Sequence, residues 1–124
     1  MTRSPLDAVR AALRAYVDKD RAAIEAVIAD DYQFTSPLDN RIDRKTYFER
    51  CWPNAKQTDG FDEVHAAEHG EVAHIVYIGR AGDHKFRNGE VHTVRDGKIV
   101  ETEVYFGWDV PHKAPLGGFI DDPK

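Results

Sequence analysis

Three glycine-centred turns, "EHGE" at 68–71, "RAGD" at 80–83 and "RDGK" at 95–98, cut the second half of the chain into strand-like runs of similar length. Glycine supplies the positive φ that tight reversals need. Asp96-Gly97 is the kind of pair that a two-residue hairpin prefers. Connections this short cannot carry a crossover, so each run pairs with the next in antiparallel sense. The spacing predicts an antiparallel meander of four strands over about 61–68, 71–80, 84–95 and 98–107.

The first half has a different period. Ser4-Pro5 reads as an N-cap followed by a first-turn proline, with Asp7 near the positive helix end. Leu6, Val9, Leu13, Tyr16 and Val17 then recur at helical spacing. Asp20 opens a second helix whose apolar face is Ile24, Val27 and Ile28. The chain leaves it through Asp30-Asp31 into a short strand, "YQFTSP", stopped by Pro37. "LDNRID" reads as a loop. Asp43 caps a third helix, "RKTYFERCW", with Tyr47, Phe48, Cys51 and Trp52 inward and Pro53 as its stop. The order is α-α-β-α-β-β-β-β, which makes an α+β fold of one domain over residues 1–124. The tail from about 108, with three prolines and two glycines, is expected to pack irregularly.

Composition narrows the partners. Lys plus Arg is 17 against 22 Asp plus Glu, a net charge of -5 with both signs interspersed. Nucleic acid and anionic membranes reward basic patches, so neither is an expected partner. No stretch approaches membrane-spanning length, and "MTRSPLDAVR" lacks the apolar run of a signal peptide. A single cysteine, Cys51, allows no internal disulfide and fits packing in a reducing, cytoplasmic setting. "HAAEH", 65–69, has the spacing of a zinc-peptidase motif, but on a strand its histidines lie about 13 Å apart. No metal or cofactor is expected, and no Walker, G-x-S-x-G or G-x-G-x-x-G pattern is present.

Two strands carry the remaining information. Run 71–80 is apolar at both parities: Val72, Val76 and Ile78 on one side, Ala73, Ile75 and Tyr77 on the other. A strand covered on both faces needs a second cover. In so short a chain that cover is a partner subunit, and a homodimer through the outer sheet face is expected. Along 84–95, alternation gives Asn88, Glu90 and His92 one face. That face is either the wet side of a sheet or the wall of a pocket.

The order of elements resembles the nuclear transport factor 2-like superfamily, and within it the SnoaL-like and ketosteroid-isomerase-like proteins. "AVRAALRAYVDKDRAAIEAVIADDYQFTSP", "NRIDRKTYFER" and "EVHTVRDGKIVETEVYFG" carry the resemblance, with "DGKI" its most recognisable piece. The resemblance implies a cone: a strongly curved antiparallel sheet wrapped by three N-terminal helices around a deep, mostly apolar pocket. It also implies that Glu90 occupies the place of a pocket acid in the isomerases. Asn88 and His92 then share the pocket face, with Thr102, Val104 and Phe106 beside them on the last strand and Glu101 and Glu103 turned away. Two parts of the isomerase machinery are missing. Ser36 stands where an acidic base precedes the proline, and the first-helix tyrosine position falls near Ala12 or Leu13. Ketosteroid isomerase activity is therefore not expected.

What remains is a pair able to move a proton. Glu90 and His92 sit about 6–7 Å apart along one strand. A carboxylate and an imidazole in an apolar pocket can serve as general base and acid. The expected function is a cofactor-independent isomerase, dehydratase or cyclase acting on an apolar carbonyl or cyclic molecule. The alternative is a protein that binds an apolar metabolite without transforming it. Tyr16, Tyr32, Tyr47, Trp52 and Tyr77 are candidate pocket aromatics, and Ser36, Asp39 and Asn40 candidate rim residues.

Overall fold

A computed structural model describes residues 2–110, with side chains through Gly107. Helix α1 (Pro5–Asp18) opens on Ser4, whose hydroxyl oxygen accepts the Asp7 N–H at 3.2 Å, and closes on Lys19 in the left-handed region at φ 55°. Helix α2 (Arg21–Val27) opens on Asp20, which accepts the Ala23 N–H at 3.0 Å. Both caps are those the sequence indicates. Strand β1 (Ile28–Ser36) begins earlier than "YQFTSP" suggests. Ile28 is not the last apolar residue of α2 but the first of the strand, where it pairs with Ile99.

"LDNRID" is not a loop. Asp39–Asp43 forms strand β2, antiparallel to β1, with Phe34 opposite Ile42. Its polar sequence has no apolar alternation to announce it, because it is an edge strand with one hydrogen-bonded neighbour. Helix α3 (Arg44–Arg50) follows the Asp43 cap and stops before Cys51. The chain continues as a 3₁₀ segment, Trp52–Gln57, with Pro53 in its first turn. Cys51 and Trp52 thus leave the helical face expected for them.

The meander forms as the turns require: β3 (Gly60–His69), β4 (Val72–Ala81), β5 (His84–Arg95) and β6 (Lys98–Val110) pair antiparallel in sequence. Asp96 and Gly97 both take positive φ, 55° and 78°, in the β5–β6 turn. The sheet order is β2-β1-β6-β5-β4-β3, and β1 runs parallel to β6. The sheet is therefore mixed and six-stranded, not the all-antiparallel five strands expected. The irregular tail also starts later than 108, since β6 continues to Val110; the rest of that segment lies outside the described residues. Near the end of β6 a bulge brings the strands together. A Cβ at Gly107 would sit 2.4 Å from the Arg87 carbonyl oxygen, so only glycine fits.

The helices cover one face of this curved sheet, giving the α+β cone. Ala8, Ala12 and Ala15 on α1 pack with Ile24, Val27, Tyr47, Phe48 and Ile99, and their small size lets the helix lie close. Val9 packs with Ala73, Ile75 and Tyr77 of β4. That settles the two apolar parities of β4: Ala73, Ile75 and Tyr77 are buried, while Val72, Val76 and Ile78 are only half-buried on the outer face.

Candidate functional site

Strand register brings the polar row together. Across β5–β6, His92 faces Thr102, Glu90 faces Val104 and Asn88 faces Phe106; across β4–β5, Tyr77 faces Asn88 and Ile75 faces Glu90. The row lies on the helix-covered face, the pocket side of the two possibilities. His92 and Thr102 are each 4% exposed, which demands partners.

The partners are present. His92 Nε2 lies 2.7 Å from Glu90 Oε1, and His92 Nδ1 lies 2.9 Å from Thr102 Oγ1. The Tyr77 hydroxyl donates to Glu90 Oε2 at 2.5 Å. A neutral imidazole has one N–H and one acceptor nitrogen. With Nε2–H on the carboxylate, Nδ1 accepts from Thr102. Each Glu90 oxygen thus receives one hydrogen bond and keeps a lone pair for a ligand. Burial holds the Tyr77 phenol well above its ordinary pKa, helped by the adjacent Glu90 charge, so it stays a donor. Burial does the same to Tyr32, against a smaller opposing effect of its hydrogen bond with Thr102.

These groups line a cavity of about 300 Å³. Glu90, His92, Asn88, Tyr16, Tyr32, Tyr77, Thr102, Val104 and Phe106 all border it. Trp52 does not. It sits edge-on to Tyr16, centroids 4.9 Å apart, because the 3₁₀ segment turns it behind that ring. Tyr16 and Tyr47 share a hydroxyl contact of 2.6 Å, and burial raises the pKa of both. Phe34, Phe61, Phe86 and Arg50 also line the cavity and were not expected. Alternation could have found two of them: Phe34 is two residues from Tyr32, and Phe86 two from Asn88.

At the rim, Ser36 and Asp39 border the cavity and Asn40 does not. Cys51 is half-buried rather than buried and also reaches the cavity. Burial pushes its thiol up to about 11, which keeps it protonated and a poor nucleophile. "HAAEH" lies within β3. Among the described residues no group of three or more His, Cys, Asp or Glu is placed to hold a metal, and no helix is long and apolar enough to cross a membrane.

No family model matches the sequence, and no curated protein matches it. Solved structures do match. An NTF2-like protein of unknown function from Cytophaga hutchinsonii is 15% identical, with 86% of this chain and 93% of that chain covered and a TM-score of 0.71. An LEH-like epoxide hydrolase from M. tuberculosis is 22% identical over 83% of this chain and 82% of that one, TM-score 0.68. A candidate polyketide cyclase from Sinorhizobium meliloti is 20% identical over 79% and 93%, TM-score 0.65. The chain has the nuclear transport factor 2-like fold. At these identities the likeness establishes architecture, and function must be argued from the site.

Proposed function

We propose that the cavity binds a small apolar molecule carrying a carbonyl or hydroxyl group and moves a proton on it. The reaction class is isomerisation, dehydration or aldol-type cyclisation, without a cofactor. Glu90 takes or returns the proton, His92 holds and polarises it, and Asn88 orients the ligand. The observation that carries this reading is the Glu90 carboxylate itself, its side chain 10% exposed and held between Tyr77 and His92 on the wall of an apolar cavity. Its two oxygens are fixed in position yet retain acceptor capacity, as a base needs. Turnover of a panel of enolisable ketones and hydroxy-ketones, by the native chain and by Glu90→Gln, tests it. Turnover untouched by the substitution removes Glu90 from the mechanism. A ligand recovered intact by native mass spectrometry, with no turnover of its relatives, favours the binding protein instead.

We also propose that the chain forms a homodimer through the outer sheet face. Val72, Val76 and Ile78 are half-buried there, and Tyr105 is 55% exposed beside Glu101 and Glu103. A second copy across a two-fold axis would cover this apolar strip and leave the charges at its rim.

A further inference from the structure

A second polar cluster stands at the cavity rim, away from Glu90 and His92. The turn from β1 to β2 folds Asp39 back onto Ser36, whose hydroxyl donates to Asp39 Oδ2 at 2.9 Å and accepts the Leu38 N–H at 3.0 Å. Arg50, the last residue of α3, donates its Nε–H to Asp39 Oδ1 at 2.8 Å. Ser36, Asp39 and Arg50 all border the cavity that Glu90 borders. The Asp39 side chain is 9% exposed and that of Arg50 55%. Asp39 is thus the buried anchor and Arg50 the accessible group.

A guanidinium carries five N–H donors in a rigid plane. Asp39 engages only Nε, and among the described residues no acceptor engages the terminal Nη atoms. The pair fixes the plane and leaves its outer edge to a ligand, the arrangement that suits a carboxylate. Register sets the span. Thr35 faces Glu103, so Ser36 lies alongside Val104, and Val104 faces Glu90. Ser36 and Glu90 are therefore two strand spacings apart, roughly 10 Å, with an apolar valine between them.

We infer that Arg50 is a specificity-determining residue for a carboxylate, so that the ligand is a small apolar acid with its carboxylate at the rim and its reacting carbon inside. Only the inner half rests on the proposed proton transfer; the carboxylate half requires binding alone. A cavity of about 300 Å³ fits a compact one- or two-ring body. A purely structural Arg50–Asp39 pair, tying β2 to α3, would make binding indifferent to ligand charge.

Two matched probes separate these cases: 1-naphthylacetate and its neutral isostere 1-naphthylacetamide, titrated into the full chain by calorimetry. The expected result is about ten-fold tighter binding of the acid, the scale of one charge-assisted hydrogen-bond pair. Arg50→Gln is expected to abolish that preference while the amide affinity stays within about two-fold. Equal binding of the probes, no binding of either, or a preference that survives Arg50→Gln overturns the inference. Should Arg50→Gln fail to fold, the Arg50 Nε–H resonance of the native chain answers instead. It shifts with the acid and not the amide, or the inference fails. Glu90→Gln is expected to keep the acid preference, so a loss of turnover and a loss of anion selection are read independently.

Discussion

The two faces of the meander are built from alternate residues of the same strands, yet they solve different problems. On the inner face His92, Thr102 and Glu90 are withdrawn from water, and each finds a hydrogen-bond partner within the row or on Tyr77. On the outer face Val72, Val76 and Ile78 alternate along β4 with the buried Ala73, Ile75 and Tyr77, and no helix covers them among the described residues. The inner face tolerates this polarity because Glu90, His92, Thr102 and Tyr77 bond to one another, and a bonded network holds one geometry. The outer face carries apolar surface that gains from a partner. A polar row set into an otherwise apolar inner face departs from the usual pattern, and that row is where function is to be sought.

The sharpest way to break this comparison is Glu90→Gln. Turnover on the responsive ketone is expected to fall by about 10²–10⁴-fold, the usual worth of a positioned base, while the melting temperature moves little. Steady-state kinetics beside thermal melts check both halves. Next in size is a matched pair on β4. Ile75→Ala, at 1% exposure, is expected to cost about 2–5 kcal/mol in urea unfolding. Val76→Lys on the opposite parity should leave the fold intact and shift sedimentation from dimer to monomer. Equal folding penalties for the two would erase the distinction between the faces.

Alkaline titration probes the inner face more gently. The chain has five tyrosines, and burial raises the phenol pKa of Tyr16, Tyr32, Tyr47 and Tyr77 above the ordinary value of 10. A folded-state pKa above the unfolded one stabilises the fold below pH 10, and that stability is lost as pH rises through the folded values. Phenolate absorbance from these four should therefore appear in one cooperative step, together with loss of circular dichroism. Tyr105, raised by its hydrogen bond to Glu103 but exposed, should ionise outside that step. Separate, gradual ionisation of all five would mean that the cavity is open to water. The smallest effect lies far from either face. Ser4→Ala removes the α1 cap and should cost about 1 kcal/mol by the same urea assay, with turnover unchanged.

Much of this architecture was legible because it is local. Ser4, Asp20 and Asp43 each cap a helix as read, since a cap depends on a side chain reaching an N–H three residues on. The β5–β6 turn formed on Asp96-Gly97 and pairs Arg95 with Lys98 and Val94 with Ile99. A bulge between Val94 and Thr93 then shifts the register by one, and it is that shifted register that puts Glu90 beside Val104 and His92 beside Thr102. The misses are non-local. Strand β2 owes its form to hydrogen bonds with β1, and Ile28 left its helix because β6 offered it a parallel partner. Trp52 lost its expected place when Pro53 turned the chain into a 3₁₀ segment.

By itself the sequence determined periods, caps, turns and the alternation that keeps Asn88, Glu90 and His92 together, because each is settled within a few residues of backbone. Only the tertiary structure decided which face of the sheet the helices would cover. Alternation is symmetric, and one residue of slip exchanges the two sides. Tertiary packing also brought Tyr77 onto Glu90 from thirteen residues away, and folded Asp39 between Ser36 and Arg50 at the rim. The Ser36–Asp39 contact belongs to one turn, but Tyr77 reaches Glu90 only once β4 and β5 pair, and Arg50 reaches Asp39 only once α3 is seated beside β2.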